Sequence, residues 1–421
     1  PMGRIAKKYC KKIFVTDDNP RNEDPRKIRK AVIAGCKGVA VEIGNRKKAI
    51  LTAIKELNSN EILLVAGKGH EKNQDYGNRV IDFSDKKVIK EIVNKKKSYL
   101  KKTHYQTILL KKIFNNNFNK VNFNGVSINS KTTKKNDLFF AIKGKKIDGH
   151  KFVNQAIKRG AIRSIISKKV KKIPKNKVIK VKNTFSSLND LAKVTRDYSS
   201  ANIIGITGSV GKTTLKNLLS FALKNYGQVH SSPQSYNNKF GVPLSISNLK
   251  KNTEYGVFEI GMDKKGEIEK LSKIVKPEIG IITNISSAHF KNFATLKDIA
   301  KAKAEIMDNI PKNGNIILNK DDKFFNFLYK RAKSKGINVI SFSLKKKADI
   351  FLLASKKKKN NYRLKIIVNN KIFYFDIKHL INNFICNILA CISVLYILNL
   401  NLKKMEKKFI NFKIPGGRGD M

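Results

Sequence analysis

The chain has 421 residues, which suggests three domains of ordinary size, each able to bury its own core. Its 88 basic and 31 acidic residues give a formal net charge of +57, a balance that ordinarily points to nucleic acid. However, 76 of the basic residues are Lys and only 12 are Arg, the side chain that base readout and bidentate phosphate clamping favour.

Asn and Ile are also abundant, and no basic stripe is interleaved with aromatic residues. The charge therefore reads as compositional, with weak salt-sensitive binding to nucleic acid and no specific nucleic-acid partner. Cys10, Cys36, Cys386 and Cys391 form no C-x-x-C and no metal-ligand spacing, so buried thiols in a reducing compartment are expected. No signal peptide opens the chain, which begins at Pro1 and stops after Gly416-Gly-Arg-Gly-Asp-Met421; both ends read as cut.

Lys12-Ile-Phe-Val-Thr16 has the character of a buried strand ending in the polar turn Asp17-Asp-Asn-Pro-Arg21. A helix is expected from about Asp24, with Pro25 in its first turn. Ile62-Leu-Leu-Val-Ala66 is expected to be a second strand, ending in Gly67-Lys-Gly-His-Glu71. Alternating strand and helix implies a small open α/β sheet, with both polar motifs at carboxyl strand ends. Arg21 can fork onto a carboxylate while Asp18 and Glu71 hold an ammonium group, a pair of functions suited to a zwitterionic amino acid.

Lys95-Lys-Lys-Ser-Tyr-Leu-Lys-Lys102 is a charged connector, and a new module begins near Tyr105. Gly125-Val-Ser-Ile-Asn-Ser-Lys131 alternates like a strand. Asp137-Leu-Phe-Phe-Ala-Ile-Lys-Gly144, Asp148-Gly-His150 and a helix through Phe152, Ala156 and Ile157 follow it.

Gly205-Ile-Thr-Gly-Ser-Val-Gly-Lys-Thr-Thr214 lies between an apolar run and a helix marked by Leu215, Leu218, Leu219 and Leu223. Strand, glycine turn and helix in that order make a phosphate cradle, because backbone N–H groups and the new helix terminus converge on an anion. Ile206 stands where the strict pattern has its first glycine. Lys212 is placed to reach terminal phosphates, and the Thr213 hydroxyl suits Mg²⁺.

Downstream, Ser235-Tyr-Asn-Asn238 and Gly241-Val-Pro243 form a polar turn entering a helix. Gly256-Val-Phe-Glu259-Ile-Gly261 and Gly280-Ile-Ile-Thr-Asn-Ile285 read as strands, the second closing on Ser286-Ser-Ala-His289. Three strand ends thus present Thr213, Glu259 and His289 toward one edge, as a Mg²⁺-nucleotide site requires. Nothing local distinguishes Lys303, in Ala300-Lys-Ala-Lys-Ala-Glu-Ile306, from the other lysines, and it reads as solvated. Phe384 to Leu398 is too short to span a bilayer comfortably and reads as a buried helix; no membrane association is expected.

Together these motifs resemble the Mur ligase family, in two pieces. D-D-N-P-R-x-E-D-P, Ala66-Gly-Lys-Gly-His-Glu71 and Gln74 make residues 1–98 similar to the C-terminal domain of its MurE branch. That resemblance implies that Asp18, Asn19, Arg21, Gly67 and Glu71 contact meso-diaminopimelate. Residues 104–421 resemble the N-terminal and central domains of the MurF branch, through D-L-F-F-A, D-G-H, N-N-x-x-G-V-P, E-x-G-M with G-E-I, T-N-I-x-x-A-H and A-K-x-E-I.

The second likeness implies that Gly208, Ser209, Gly211, Lys212, Thr213, Thr214 and Asn387 bind ATP. It makes Thr213, Glu259 and His289 metal ligands, with Lys303 as the lysine that several members carbamylate, which would make it a carboxylate-like ligand to a second metal. Ser130, Lys131 and Asn238 would face the UDP-sugar substrate. Asn129 and Lys131 stand where the family has Asp and Arg, and Asn383 where it has His. Asn319, Asp321 and Asp322 match N-x-D-D.

The expected organisation is three α/β domains: a Rossmann-like ligase domain over 1–98, a linker over 99–104, a small UDP-substrate domain over 105–198 and a central ATP-binding domain with a mostly parallel sheet over 199–415. Residues 416–421 would begin a hinge. The expected activity is ATP-dependent amide ligation of D-Ala-D-Ala to UDP-MurNAc-tripeptide through an acyl phosphate. The protein would be a cytoplasmic monomer and part of a MurE–MurF fusion. A folylpolyglutamate-synthase-like ligase and a basic nucleic-acid-binding P-loop ATPase stay open as alternatives.

Overall fold

The computed structural model describes residues 2–36, 38–57, 61–69, 71–90, 92, 110, 122–144, 146–287 and 292–415. The expected linker 99–104, residues 416–421 and His289 lie outside the described residues. The chain divides into two compact units, Pro1–Tyr105 and Gln106–Met421.

In the first unit, strand β1 (Ile13–Val15) pairs in parallel with β2 (Ala40–Glu42), and β3 (Asn73–Asp75) pairs antiparallel with β4 (Val80–Asp82). The helix expected after Asp24 runs Pro25–Cys36, with proline in the turn whose N–H groups have no intrahelical acceptor. The helix Arg46–Glu56 is capped by Asn45, whose side chain accepts from the Lys48 N–H. Ile50, Ile54 and Val88 form this unit's core, with Leu63 and Val65 packed on it.

The strand expected over Ile62–Ala66 is not formed: residues 61–66 have no regular structure. Their side chains keep the alternation of a strand, Leu63 and Val65 inward and Ile62 and Leu64 outward at 96% and 79% exposure. The period-2 pattern records which face is buried, whereas a strand also needs a neighbour to complete its hydrogen-bond ladder. The expectation of four buried thiols also fails at Cys10, which is exposed; Cys36 and Cys391 are buried and Cys386 is intermediate.

The second unit opens with a parallel four-stranded sheet in the order β5 (Gly125–Ser127), β6 (Asp137–Phe140), β7 (Arg163–Ile166) and β8 (Val178–Lys180). The helix Thr184–Asp197, capped by Asn183, leads out of it. A nine-stranded sheet follows in the order β10 (Val229–Ser231), β11 (Tyr255–Glu259), β9 (Asn202–Thr207), β12 (Ile279–Ile282), β13 (Asn315–Asn319), β14 (Asn338–Ser343), β15 (Ile350–Lys357), β16 (Tyr362–Val368), β17 (Lys371–Ile377). It is parallel through β15 and antiparallel across β15, β16 and β17.

β9 is apolar on both faces, as a strand covered by helices on both sides must be. Ile204 and Ile206 enter one core with the helices Lys212–Leu223 and Asn382–Ile397, while Ile203 enters the other with Glu267–Val275 and Leu296–Ala304. Asn382–Ile397 is apolar nearly all round, hence its burial. No helix among the described residues is long and apolar enough to cross a membrane. The order reverses at β9, with β11 on one side and β12 on the other, which opens a crevice at their carboxyl ends.

Candidate functional site

The loop after β9 fills that crevice. Gly208 has φ 143°, and a Cβ there would stand 1.9 Å from the Thr283 hydroxyl oxygen, so no larger residue fits. Gly211, at φ 87°, is the N-cap of the helix Lys212–Leu223. The end of β12 clamps the loop from outside: Ser209 N donates to Asn284 O (3.0 Å), Val210 N to Asn284 Oδ1 (2.9 Å) and Thr283 Oγ1 to Val210 O (2.6 Å). Ser209 Oγ donates to Ser286 O at 3.0 Å. The loop is thereby preorganised, with the start of a three-turn helix facing the crevice.

Lys212 Nζ donates to the Gly208 and Ser209 carbonyls (2.7 and 3.2 Å), which lays the ammonium along the loop. Thr213 Oγ1 donates to Glu259 Oε2 at 2.7 Å, and Asn237 Nδ2 to Glu259 Oε1 at 2.7 Å. Glu259, the last residue of β11, is 1% exposed and makes no ion pair among the described residues. The Glu259 carboxylate and the Thr213 hydroxyl are adjacent hard-oxygen donors, the kind a divalent cation takes.

Lys303 corrects the reading from local sequence. It is not solvated but 2% exposed, on the inward face of Leu296–Ala304. Burial, and after it the charge of Lys212, hold its ammonium down to about 7. The structure therefore brings Lys212, Thr213, Glu259 and Lys303 together. Thr214 lies buried one residue along the same helix.

Beside the loop, Val210, Gly211, Thr283, Asn284, Asn319 and Phe342 line a small pocket, partly open to solvent, with Asn383, Cys386, Asn387 and Ala390. Asn387 is 5% exposed. Burial pushes the Cys386 thiol up to about 11. Of the N-x-D-D residues, Asn319 lines this pocket, whereas the two aspartates are loop ties. Asp321 accepts from Ser343 Oγ (2.7 Å) and Leu344 N (2.6 Å), and Asp322 from Ile285 N (2.7 Å).

The remaining expected residues lie elsewhere. Ser130 Oγ donates to Gln155 Oε1 at 2.7 Å, and Lys131 is exposed beside it. Asn238 Oδ1 accepts from the Phe240 and Gly241 N–H groups, so its oxygen is spent on the turn that enters the helix Gly241–Ser247. Its neighbour Asn237 is the residue that touches Glu259. Asn237, Thr283 and Asn284 were missed because their roles exist only across elements, although N-N and T-N were visible as strand-end polar pairs.

In the first unit the residues expected to hold an amino acid meet in two pairs, Asn19 with Glu71 and Asp18 with Gly67. Asn19 Nδ2 donates to Glu71 Oε2 at 2.6 Å, and Asn19 Oδ1 accepts from Lys68 Nζ at 3.0 Å. A Cβ on Gly67 would meet Asp18 Oδ2 at 2.6 Å. Arg21 is exposed, at φ 52°, and its N–H donates to Asp75 O at 3.1 Å. Arg46, missed in the sequence, forks onto Asp85 at 2.8 and 2.7 Å and reaches the carbonyls of Asp17 and Ala66, so one buried guanidinium ties both loops.

Three family profiles match the chain: "Mur ligase, glutamate ligase domain" over residues 1–69, "Mur ligase family, catalytic domain" over 122–196 and "Mur ligase middle domain" over 206–395. A UDP-N-acetylmuramoyl-tripeptide–D-alanyl-D-alanine ligase of Rickettsia prowazekii (strain Madrid E) is 37% identical over 302 residues, which are 72% of this chain and 67% of that protein. The ligase of the same name from Buchnera aphidicola subsp. Baizongia pistaciae is 37% identical over 268 residues, 63% of this chain and 57% of that one. Against several other relatives of that name the chain spans about half their length.

Among solved structures, MurF of Acinetobacter baumannii superposes with TM-score 0.66 at 25% identity, over 74% of this chain and 69% of that one. MurF ligase of Thermotoga maritima in complex with ADP gives 0.58 at 27% identity, over 68% and 65%.

Proposed function

Because the chain belongs to the Mur ligase family, we propose that it is an ATP-dependent amide ligase joining D-Ala-D-Ala to UDP-MurNAc-tripeptide. The observation that carries this reading is the meeting of Lys212, Thr213, Glu259 and Lys303 at the β9 and β11 ends.

In this reading the loop N–H groups, Ser209, Lys212 and Thr214 hold the triphosphate, and Asn387 lies on the nucleoside side. Thr213, Glu259, His289 and Lys303, the last as its carbamate, hold Mg²⁺, which when bound neutralises anionic phosphate oxygens. Lys212 sets its charge against the γ-phosphate as the substrate's terminal carboxylate oxygen attacks phosphorus and ADP leaves. The amine of D-Ala-D-Ala then attacks the acyl carbon, and the tetrahedral adduct expels phosphate. Positioning and charge neutralisation carry the rate, with no covalent bond to the enzyme.

Lys212→Ala should cut turnover by at least about a hundredfold, on the order of 3 kcal/mol, with an unchanged circular-dichroism spectrum. The assay is phosphate release from ATP in the presence of both substrates. Release indifferent to UDP-MurNAc-tripeptide and D-Ala-D-Ala would reject the assignment.

The glutamate-ligase-type match precedes the other two along the chain. That order supports a fusion in which residues 1–98 end a MurE-type ligase, 99–104 link it onward, 105–198 and 199–415 begin a MurF-type one and 416–421 start its hinge. Asp18, Asn19, Arg21, Gly67 and Glu71 then form the site for meso-diaminopimelate. A cytoplasmic, monomeric protein goes with the same reading. Intact-mass measurement on the native protein should find both parts in one polypeptide; separately translated parts overturn the fusion.

A further inference from the structure

The phosphate-loop helix carries a second lysine, one turn past Thr213, that no step above uses. Lys216 is 2% exposed, on a helix whose Leu215, Leu218 and Leu219 belong to the core on that side of the sheet. Burying an ammonium is costly unless its donors are satisfied, and here Nζ donates to the main-chain carbonyl of Gln234. Gln234 has φ 43°, a left-handed conformation that a non-glycine residue keeps only when its surroundings impose it. One helical turn further on, Ser220 Oγ lies 3.4 Å from Ser231 Oγ. Thr213, Lys216 and Ser220 thus form a polar stripe along one side of the helix, facing β11, the loop after β10 and β10 in turn.

That loop delivers the residue that steers Glu259. Ser232 N donates to Val257 O at 3.1 Å and fixes its start. Lys216 fixes its middle, and beyond it Asn237 Nδ2 reaches Glu259 while Asn237 O accepts from Gly261 N at 2.8 Å.

We propose that Lys216 is a positioning residue: it pins the 232–238 loop to the phosphate-loop helix so that Asn237 holds the Glu259 carboxylate in register with Thr213. This inference rests on the reading of Glu259 as a cation ligand. Through this pin the helix that receives the triphosphate also sets the orientation of the carboxylate beside it.

Lys216→Met removes the donor and keeps an unbranched apolar stem in the core. Hydrogen exchange on the nucleotide-free protein should quicken about tenfold or more at the amides of Tyr236 and Asn237, with β13 unchanged. In titrations of the full chain, ATP with Mg²⁺ should bind about tenfold more weakly, while ATP in chelator binds as in the wild type. Adding Asn237→Ala should cost little more, because both changes break one path.

Unchanged exchange in the loop overturns the proposal. So does quickened exchange with Mg²⁺–ATP affinity intact, and so do additive losses in the double variant. Wild-type protein that binds no nucleotide would reject the ligase reading, leaving the exchange experiment to decide the pin. Should Lys216→Met not fold, Lys216→Gln, whose amide is too short to reach Gln234, serves in its place.

Discussion

The Lys303 ammonium is held near 7 in the folded protein, by burial first and by Lys212 second, against 10.5 for a free lysine. Between those values the unfolded chain keeps a proton that the folded one has released, so folding stability rises with pH across that window. Below about 7 both states are protonated and the full penalty of burying the charge remains. Lys303→Met removes the group without emptying its site. In metal-free buffer, the melting temperature of the wild type relative to this variant should climb steadily from pH 7 to pH 10. Taking the difference cancels the general loss of lysine charge on so basic a chain. A flat difference would mean that Lys303 titrates like a surface lysine. The same neutral amine near pH 7 is the nucleophile that carbamate formation requires, so the site's electrostatics prepare the chemistry proposed for it.

Among the elements, the helices expected from about Asp24, through Leu215 to Leu223 and over Phe384 to Leu398 formed, at 25–36, 212–223 and 382–397, because each signal lay within its own segment: a proline in the first turn, a glycine turn before leucines at helical spacing, a run apolar but for Asn387 and Ser393. The phosphate loop was legible for the same reason. Three features were not. Lys303 is buried by the way its helix faces the loop, Asn237 meets Glu259 from another element, and residues 61–66 lack a strand partner; each depends on a neighbour distant in sequence. Arg46 belongs with them, since only the fold shows that it joins Asp85 to the carbonyls of Asp17 and Ala66. Arg46→Ala would leave the Asp85 carboxylate buried without its partner, a loss on the order of 3–5 kcal/mol, a large share of a small domain's stability. Urea unfolding followed by a probe in residues 1–92 should show this loss. An unchanged midpoint would reduce the ion pair to a surface ornament.

At the scale of the whole molecule, the two units each hold their own core: Ile50, Ile54 and Val88 in the first, and the clusters on both faces of the nine-stranded sheet in the second. Every side chain named in the phosphate-loop constellation comes from the second unit: Lys212, Thr213 and Lys216 from one helix, Glu259 from β11, Asn237 from the loop after β10 and Lys303 from Leu296–Ala304. None of these described side chains is drawn from residues 1–105. Removing those residues should therefore leave ATP affinity within about twofold and the second unit's melting transition in place, while the intact chain shows two calorimetric transitions, the smaller one lost on truncation. Arg46→Ala should shift that smaller transition alone. A truncated chain that folds but loses nucleotide would mean that the first unit takes part in the site, and the division of labour between the two units would have to be redrawn.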